Sequence, residues 1–314
     1  MKKYILNRII WLFFTVIVTA FMIFTILYFI PGDPAAAILG ANASPAEVER
    51  MRSIMGLDKS YLTQLWEFLS GIFHLQFGNS WVYADTPVIS IIAERLPRTL
   101  IIGCCAMVIN IIVGVSLGVI AGTHEAKWQD SLAMTIAMLF ISAPDFWVAL
   151  ILIVIFAKNL GWLPAAGIQD GVKSYILPVI TSSLGGVANN SRQTRSSILE
   201  VYREDYITTA RSKGLPERKV IAKHMLPNAL MPIITVVGTG FGRITAGSPV
   251  IESVFGVPGI GLYMLNAMNQ RDYPAVRGCV LFLAVWTAVV MLIVDLLYGM
   301  VDPRVKVRYG GGKR

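Results

Sequence analysis

Few side chains in this sequence are of types that do chemistry, and they are scattered along it. The histidines have no cysteine or carboxylate at a metal-ligand spacing, and the cysteines lie within apolar runs, so neither a metal site nor a disulfide framework is predicted. No G-x-x-x-x-G-K-[S/T] loop that would hold ATP phosphates occurs. We therefore predict a chain that is not an enzyme and that binds no metal and no cofactor. The residues concerned are His74, His124, His224, Cys104, Cys105 and Cys279.

Two ionisable residues, Asp145 and Arg243, fall within apolar runs that are long enough to cross a membrane. A charge at the bilayer centre costs about 3 kcal/mol or more unless it faces water, a partner or the bundle interior, so each is a candidate for a translocation path. Either the two side chains pair and only fix helix packing, or Arg243 holds an anionic group of a solute. Small and polar residues predicted to line the same path are Thr239, Gly240, Gly247 and Ser182.

The densest group of charges is the segment 191–228, named the elbow below, which carries eight Lys and Arg residues. Apolar residues at four-residue steps predict a helix in its first half. Gly214 suits the left-handed residue that ends such a helix, and Pro216 suits the first position of a second helix that Pro227 stops or kinks. The elbow is therefore predicted to be a helix–turn–helix. The apolar steps are Ile198, Tyr202, Tyr206 and Ala210.

The composition is that of a membrane protein. Of the 314 residues, 55% are hydrophobic and only 15% are charged, and the mean hydropathy is +0.64. The net charge of +8 arises from residues that flank apolar runs and lack interleaved aromatics, which indicates membrane topology rather than nucleic-acid binding. The chain is therefore predicted to cross a lipid bilayer several times and to bind no nucleic acid.

Six runs, some of them only weakly apolar, predict an all-α protein with six transmembrane helices and the elbow between the fourth and fifth. They cover residues 9–30, 99–122, 131–157, 175–192, 229–250 and 278–301. Because Lys and Arg are concentrated in the elbow and near both termini, the positive-inside rule places all three in the cytoplasm. The predicted domains are the N-terminus with the first helix (1–30), an extracytoplasmic segment (31–98), a transmembrane core (99–301) and a basic tail (302–314).

The extracytoplasmic segment is predicted to contain helices of its own. A Ser-Pro-Ala-Glu capping box at 44–47 begins the first, and Gly56 is suited to end it. A second helix follows, with apolar side chains on one face. We therefore expect residues 45–73 to be helical and ordered. The predicted apolar face comprises Leu62, Leu65, Trp66, Leu69, Ile72 and Phe73.

The elbow resembles the EAA loop of ATP-binding-cassette importer permeases, in which E-A-A is followed after three residues by Gly and after nine more by I-x-L-P. Here Thr208-Thr209-Ala210, Gly214 and His224-x-Leu226-Pro227 keep that spacing, although Thr208, Thr209 and His224 replace the family's Glu, Ala and Ile. The stretch EDYITTARSKGL at 204–215 is most similar to the peptide/nickel branch. Further stretches that resemble family landmarks are P-G-D-P (31–34), F-G-N-S (77–80), S-A-P-D-F-W (142–147) and R-D-Y-P (271–274).

This resemblance covers nearly the whole chain and implies the permease subunit of an ATP-driven importer in a prokaryotic cytoplasmic (inner) membrane. The implied cargo is a dipeptide, an oligopeptide, glutathione or a nickel chelate. The implied partners are a second homologous permease subunit, two ATP-binding subunits that hold ATP-Mg, and an extracytoplasmic solute-binding protein. Residues of the elbow would contact the ATPase, with Ala210 and Gly214 allowing close approach. The predicted coupling residues are Tyr206, Thr208, Thr209, Ala210, Arg211, Lys213, Gly214, Leu215, Pro216 and Glu217.

A second interpretation is an ion-coupled secondary transporter of a small anionic solute. Asp145 and Arg243 would then be coupling groups, and inverted repeats would be expected. Such repeats are not evident in the sequence, and the elbow would have no role. Since neither Asp145 nor Arg243 belongs to the pattern shared by the importer permeases, both are candidates for substrate specificity.

Overall fold

The computed structural model describes residues 2–40, 42–74, 76–83 and 86–301. Within these ranges the chain is helical, as predicted, while the predicted basic tail (302–314) lies outside them. Wide π-helical turns at Asn110–Gly114, Ile153–Asn159 and Val220–Met225 adjoin α-helices. In chain order the α-helices are α1 (Lys2–Phe29), α2 (Pro34–Leu39), α3 (Pro45–Ile54), α4 (Tyr61–Ile72), α5 (Val88–Ile109), α6 (Val115–Thr123), α7 (Trp128–Ser142), α8 (Asp145–Leu152), α9 (Lys173–Tyr202), α10 (Asp205–Ser212), α11 (Glu217–Lys219), α12 (Leu226–Thr245), α13 (Pro249–Val254), α14 (Ile260–Asn269) and α15 (Tyr273–Val301).

Three helical stretches are long and apolar enough to cross a membrane, namely Leu6–Phe29, Val88–Thr123 and Tyr273–Val294. Two bent pairs raise the number to five if each pair is one span: Trp128–Ser142 with Asp145–Asn159, and Glu217–Leu230 with Pro232–Thr245. The predicted fourth span lies within α9, which is rich in Ser, Thr, Asn and Gly. The described residues therefore contain three to five candidate spans, and the predicted count of six stays a prediction.

The predicted third span is not one straight helix. It consists of α7 and α8, which meet at an angle of 102°. Ala143 between them is extended, with φ −83° and ψ 128°, because a residue that precedes proline is disfavoured in the helical region. Asp145 consequently lies in the first turn of α8, where the helix dipole favours a carboxylate.

The chain divides into two compact units. One, the α1 unit, comprises Lys2–Thr99 and Pro258–Val289. The other, the α9 unit, comprises Leu100–Val257 and residues 290–301.

In the α1 unit, α1 contributes a buried face that includes Phe24 and packs against α4. The predicted capping box is confirmed, since Ser44 and Glu47 exchange both bonds, and this hydrogen bonding holds the pKa of Glu47 below its usual range. Gly56, which was predicted to end the first helix, lies just after α3 and has a left-handed φ of +68°. Residues 45–54 and 61–72 are helical, as expected.

The predicted apolar face of α4 is only partly correct. The buried residue of α4 is Phe68, which was not part of the predicted face and which stacks on Phe24 at 5.6 Å between ring centroids. Leu62, Trp66 and Phe73 were predicted on the same face but are exposed, Trp66 by 73%. The face in contact is rotated about the helix axis relative to the predicted one, since Tyr61, Leu65, Leu69 and Ile72 pack against the same core as Phe68.

The α9 unit is built around α9, which packs against α6, α7, α8 and α12. Two polar side chains on α9 bond to the backbone of a neighbouring helix: Asn190 donates to the Asn110 carbonyl at 3.2 Å and Ser191 to the Gly114 carbonyl at 3.0 Å. Such bonds between helices explain how a polar helix can lie in the interior of a membrane protein.

Three glycines spaced four residues apart bring α6 against α9. A Cβ added at Gly114 would lie 2.8 Å from the Asn190 Cβ, and one at Gly122 would lie 2.7 Å from the Ile198 Cγ2. At Gly118 an added Cβ would lie 2.6 Å from the carbonyl oxygen of Ser191. The glycines therefore permit a close helix crossing, as small residues at this spacing do in membrane proteins.

Gly118→Ile is expected to disrupt this crossing, because the obstacle is backbone that cannot move aside. Overpacking of this kind costs about 1–3 kcal/mol or more, so the purified protein should lose thermal stability in a detergent melting assay. Gly185→Ile is the matched control, since a Cβ at Gly185 meets no heavy atom within 4 Å. Equal stability of the two variants would contradict the prediction.

Candidate functional site

The elbow forms a helix–turn–helix that packs against its own chain. α9 ends at Tyr202, and α10 begins at Asp205, so the predicted continuous helix from Ile198 to Ala210 is broken between them. The two helices of the elbow share a buried apolar cluster with the start of α12. This cluster comprises Ile198, Ile207, Ala210, Val220, Met225, Ala229 and Ile233.

The second helix of the elbow runs on further than predicted. From Glu217 it passes through the π-helical turn into α12, and Pro227, which was predicted to stop or kink it, lies in the first turn of α12 without ending the run. The bend in this run lies at Pro232 instead, where the axes change direction by 56°. The elbow is therefore continuous with α12, which also carries Arg243.

The turn of the elbow is fixed by backbone conformation and by one arginine. Gly214 has φ +73°, as predicted, and its N–H donates to the Arg211 carbonyl at 2.9 Å. Arg211 donates to both carboxylate oxygens of Glu217, at 3.1 and 2.7 Å, and its guanidinium lies 4.2 Å from the ring centroid of Tyr202. The pairing with Glu217 raises the pKa of Arg211 and joins the two helices across the turn.

The predicted coupling residues divide into an exposed set and an inward set. Ala210 is buried in the elbow's own core, and Leu215 packs against that core, so the close approach of a partner at Ala210 stays a prediction. Burial and the nearby Glu204 raise the pKa of Tyr206, whose hydroxyl therefore stays protonated at neutral pH. The exposed residues are Tyr206, Thr208, Thr209, Lys213, Gly214, Pro216 and Glu217, while Arg211 is half-buried.

An ion pair that joins the elbow to the turn before α7 was missed by sequence reasoning. Arg195 of α9 donates to both oxygens of the buried Asp130, at 2.5 and 2.7 Å. Asp130 also accepts from the backbone N–H of Ala126, and Arg203 binds Glu125 at 3.1 Å. These bonds attach the turn before α7 to the part of α9 that belongs to the elbow. The opposite charges were visible in the sequence, but nothing in their spacing indicated that they meet.

Asp130→Asn is expected to destabilise this end of α9. The Asp130 side chain is 7% exposed and Arg195 30%, so the loss should fall at or below the lower end of the range for breaking a buried pair, about 3 kcal/mol. A lower melting temperature of the purified protein would show it. The double variant Asp130→Leu/Arg195→Leu should recover part of the loss, because it leaves no unpaired charge. A double variant no more stable than Asp130→Asn would contradict this account.

The predicted path residues on α12 occupy one exposed face near its end. Arg243 lies in the last turn of α12 rather than at mid-span, and both Arg243 and Thr239 are exposed. A Cβ at Gly240 would meet nothing within 4 Å, and Gly247 follows the helix with φ +87°. Among the residues that the structure describes, no ion pair joins Arg243 to Asp145. Pairing that only fixes packing is therefore absent in this conformation.

Ser182 of α9 is a further predicted path residue. Its hydroxyl is buried, and no hydrogen-bond partner for it occurs in the described part of the chain. Groups of three or more metal-ligating side chains are also absent from the residues described. The assignment of these residues to a path stays a prediction.

In the α1 unit, motifs far apart in the sequence meet around the start of α15. Arg271, in R-D-Y-P, donates to the carbonyl of Pro31, in P-G-D-P, at 3.1 Å. The buried Asp272 accepts from the Ser80 hydroxyl, in F-G-N-S, and from the Trp81 and Ala275 N–H groups. Hydrogen bonds therefore join these three stretches within the α1 unit, and Asp272 caps the N-terminus of α15.

The sequence matches two family descriptions that together cover almost all of it. Residues 114–307 match the binding-protein-dependent transport system inner membrane component, and residues 1–103 match the N-terminal part of such a component. The chain belongs to this family of transport permeases. The permease is thus a multi-pass inner membrane component of an ATP-binding-cassette importer, not its ATP-hydrolysing subunit, and membership implies ATPase and binding-protein partners.

Relatives match the permease over its full length. It is 39% identical over 313 residues to a peptide transport system permease protein of Brucella abortus (strain 2308), covering 98% of this chain and 99% of that one. It is 37% identical over 306 residues, with the same coverage, to the glutathione transport system permease protein of Escherichia coli (strain K12).

A solved structure shares the fold. An inward-facing form of the MetNI methionine ABC transporter has a chain that aligns with a TM-score of 0.56 and 15% identity, over 68% of the permease and 97% of that chain. At this identity the likeness concerns the fold alone.

Proposed function

We propose that the permease imports short peptides, or a peptide-like solute such as glutathione. The observation that carries this proposal is the full-length match, at 37–39% identity, to permeases named for peptide and glutathione transport. A nickel chelate, also implied by the resemblance, is not named among those relatives and is not proposed here.

In the proposed arrangement the elbow is the cytoplasmic lever that receives force from an ATP-binding subunit. Its support is mechanical, since the apolar cluster and the Arg211–Glu217 pair join the two helices of the elbow, and the second of them continues into α12. A movement of the exposed residues Thr208, Thr209 and Lys213 would be transmitted directly to α12. Two ATP-binding subunits with ATP-Mg would supply the energy.

The proposed path runs along the exposed face of α12, opposite a second homologous permease subunit. This face carries Pro232, Thr235, Thr239 and Arg243, whereas lipid favours leucine, isoleucine, valine and phenylalanine. An arginine there can hold a peptide carboxylate through two parallel hydrogen bonds. Asp145 and Ser182 are proposed as further contacts on the path.

The proposed topology has six spans, with α9 as the fourth and with α7 and α8 together forming the third. Both termini are then cytoplasmic, and residues 31–98 face an extracytoplasmic binding protein. The support is the charge distribution, since the eight basic residues of the elbow are expected to remain on the cytoplasmic side.

Uptake of a labelled dipeptide and of labelled glutathione in cells tests the proposal. We expect uptake to need the permease and an ATP-binding subunit encoded with it, and to survive an uncoupler that collapses ion gradients. Uptake that persists without any such ATPase, but stops with the uncoupler, would instead support the ion-coupled secondary transporter.

A further inference from the structure

A second ligand site is suggested by a cavity of about 660 Å³ that lies entirely within the α1 unit. Its size is in the range of small-molecule pockets, about 300–1,000 Å³. Aromatic side chains of α1, of the 81–83 turn and of α15 line it, namely Phe24, Tyr28, Trp81 and Tyr273. Neither the elbow nor α12 contributes to it.

Two groups of α15 that line this cavity can bind an anion. The Tyr273 hydroxyl is buried and has no hydrogen-bond partner among the described residues. The half-buried Arg277 has its guanidinium 5.2 and 5.0 Å from the ring centroids of Phe24 and Phe68. Its Nε donates to the Tyr273 carbonyl at 3.3 Å, and no carboxylate in the described ranges lies within ion-pair distance of it. A guanidinium without a carboxylate partner and a buried hydroxyl without an acceptor make this part of the lining suited to a carboxylate.

The part of the lining contributed by residues 33–58 carries an excess of negative charge. Asp33, Glu49 and Asp58 line the cavity there together with Arg52, which binds Asp33 at 2.9 Å and Glu49 at 3.3 Å. These four residues carry a net charge of −2 and are named the acidic rim, because the Glu49 side chain is 70% exposed. A further cation, Arg271, lies next to the lining residue Gly32 and donates to the Pro31 carbonyl. The acidic rim and the Arg277 guanidinium thus come from different segments of the chain.

We propose that this cavity binds a short zwitterionic peptide, with the peptide carboxylate on Arg277 and the Tyr273 hydroxyl and the peptide ammonium facing the acidic rim. A dipeptide fills only part of the volume, and the aromatic lining accommodates its side chains. The site shares no residue with the proposed path on α12. Peptide binding to it requires neither ATP nor a solute-binding protein.

The test is equilibrium binding of L-alanyl-L-alanine to the full-length permease in phosphatidylglycerol nanodiscs. We expect binding by the wild type, and a dissociation constant about 10- to 100-fold higher for Arg277→Met, the loss typical of a charge-assisted contact. Tyr273→Phe, which removes only the hydroxyl, should weaken binding by a smaller factor. Arg50→Met, at an exposed position of α3 outside the cavity lining, is the matched control and should bind like the wild type.

Ligand variants test the same charges from the other side. Dialanine amide, which lacks the carboxylate, should bind Arg277→Met and the wild type equally weakly. N-acetyl-dialanine, which lacks the ammonium, should bind the rim variant Asp58→Asn and the wild type with equal affinity. Dialanine binding that is unchanged in both Arg277→Met and Tyr273→Phe would overturn the proposal.

A lipid headgroup with the same two charges is the competing source, and it can be distinguished. If phosphatidylethanolamine nanodiscs abolish dialanine binding, and native mass spectrometry finds that lipid retained by the wild type but not by Arg277→Met, the cavity is a lipid site and the peptide assignment is wrong. Dialanine binding that is the same in both lipids supports the peptide. Because the assay needs no transport, it can succeed even if uptake proves to have another energy source.

Discussion

Gly214→Val is expected to leave membrane insertion intact and to reduce uptake by at least about tenfold. Gly214 has φ +73°, and a β-branched residue in this region costs about 1–3 kcal/mol, where 1.4 kcal/mol is a factor of ten. Nothing lies within 4 Å of a Cβ built there, so the cost arises from backbone conformation rather than from a clash. The strain would change the angle between α10 and α11 and hence the surface proposed to meet the ATPase. Uptake of labelled dipeptide at equal membrane levels measures the effect.

Two control variants distinguish an effect on coupling through the elbow from a general effect of backbone strain. Gly214→Asn should retain most of the uptake, since asparagine tolerates the left-handed conformation. Gly171→Val introduces the same strain at φ +57°, in a turn outside the elbow, and should transport nearly normally. Full transport by Gly214→Val, or equal losses at Gly171 and Gly214, would show that the elbow is not the coupling element.

Arg243→Met is expected to lower the uptake of free peptides by about tenfold or more while the subunit assembles normally. The reason is loss of a charge-assisted contact, worth about 1.5–3 kcal/mol, to a peptide carboxylate. Uptake of the corresponding peptide amides, which lack that carboxylate, should fall much less. Competition transport assays with matched acid and amide peptides would measure the difference.

The control for Arg243 is again a substitution of the same type elsewhere. Arg50→Met removes an exposed arginine on α3 and should not change the preference for acids over amides. Arg243→Lys should be intermediate, because a lysine keeps the charge but not the planar pair of donors. If cargo range and uptake rate are unchanged in Arg243→Met, Arg243 has no role in the path.

Features determined by a few neighbouring residues could be predicted from the sequence. The capping box at Ser44 and the left-handed Gly214 each depend on local backbone chemistry, and both are confirmed. The break at Ala143 had a local signal as well, since alanine precedes Pro144, but the surrounding apolar run favoured one long helix.

Features determined by contacts distant in sequence could not be predicted in the same way. A small residue such as Ala210 suits either a partner surface or a tight core, and only the fold shows that it lies in the core. The Asp130–Arg195 pair and the cavity lined by Arg277 likewise depend on helices that are distant in the sequence. For the candidate site, spacing alone identified the elbow, but it did not distinguish the exposed residues from the inward ones.

Photo-crosslinking from the elbow tests most directly whether the permease is coupled through it to an ATPase. A photoreactive amino acid would replace the exposed Lys213 and, as the matched control, the exposed Arg50 of α3. In assembled transporter, we predict an adduct with the ATP-binding subunit from position 213 and none from position 50. No such adduct from position 213, or equal yields from both positions, would contradict the coupling role of the elbow.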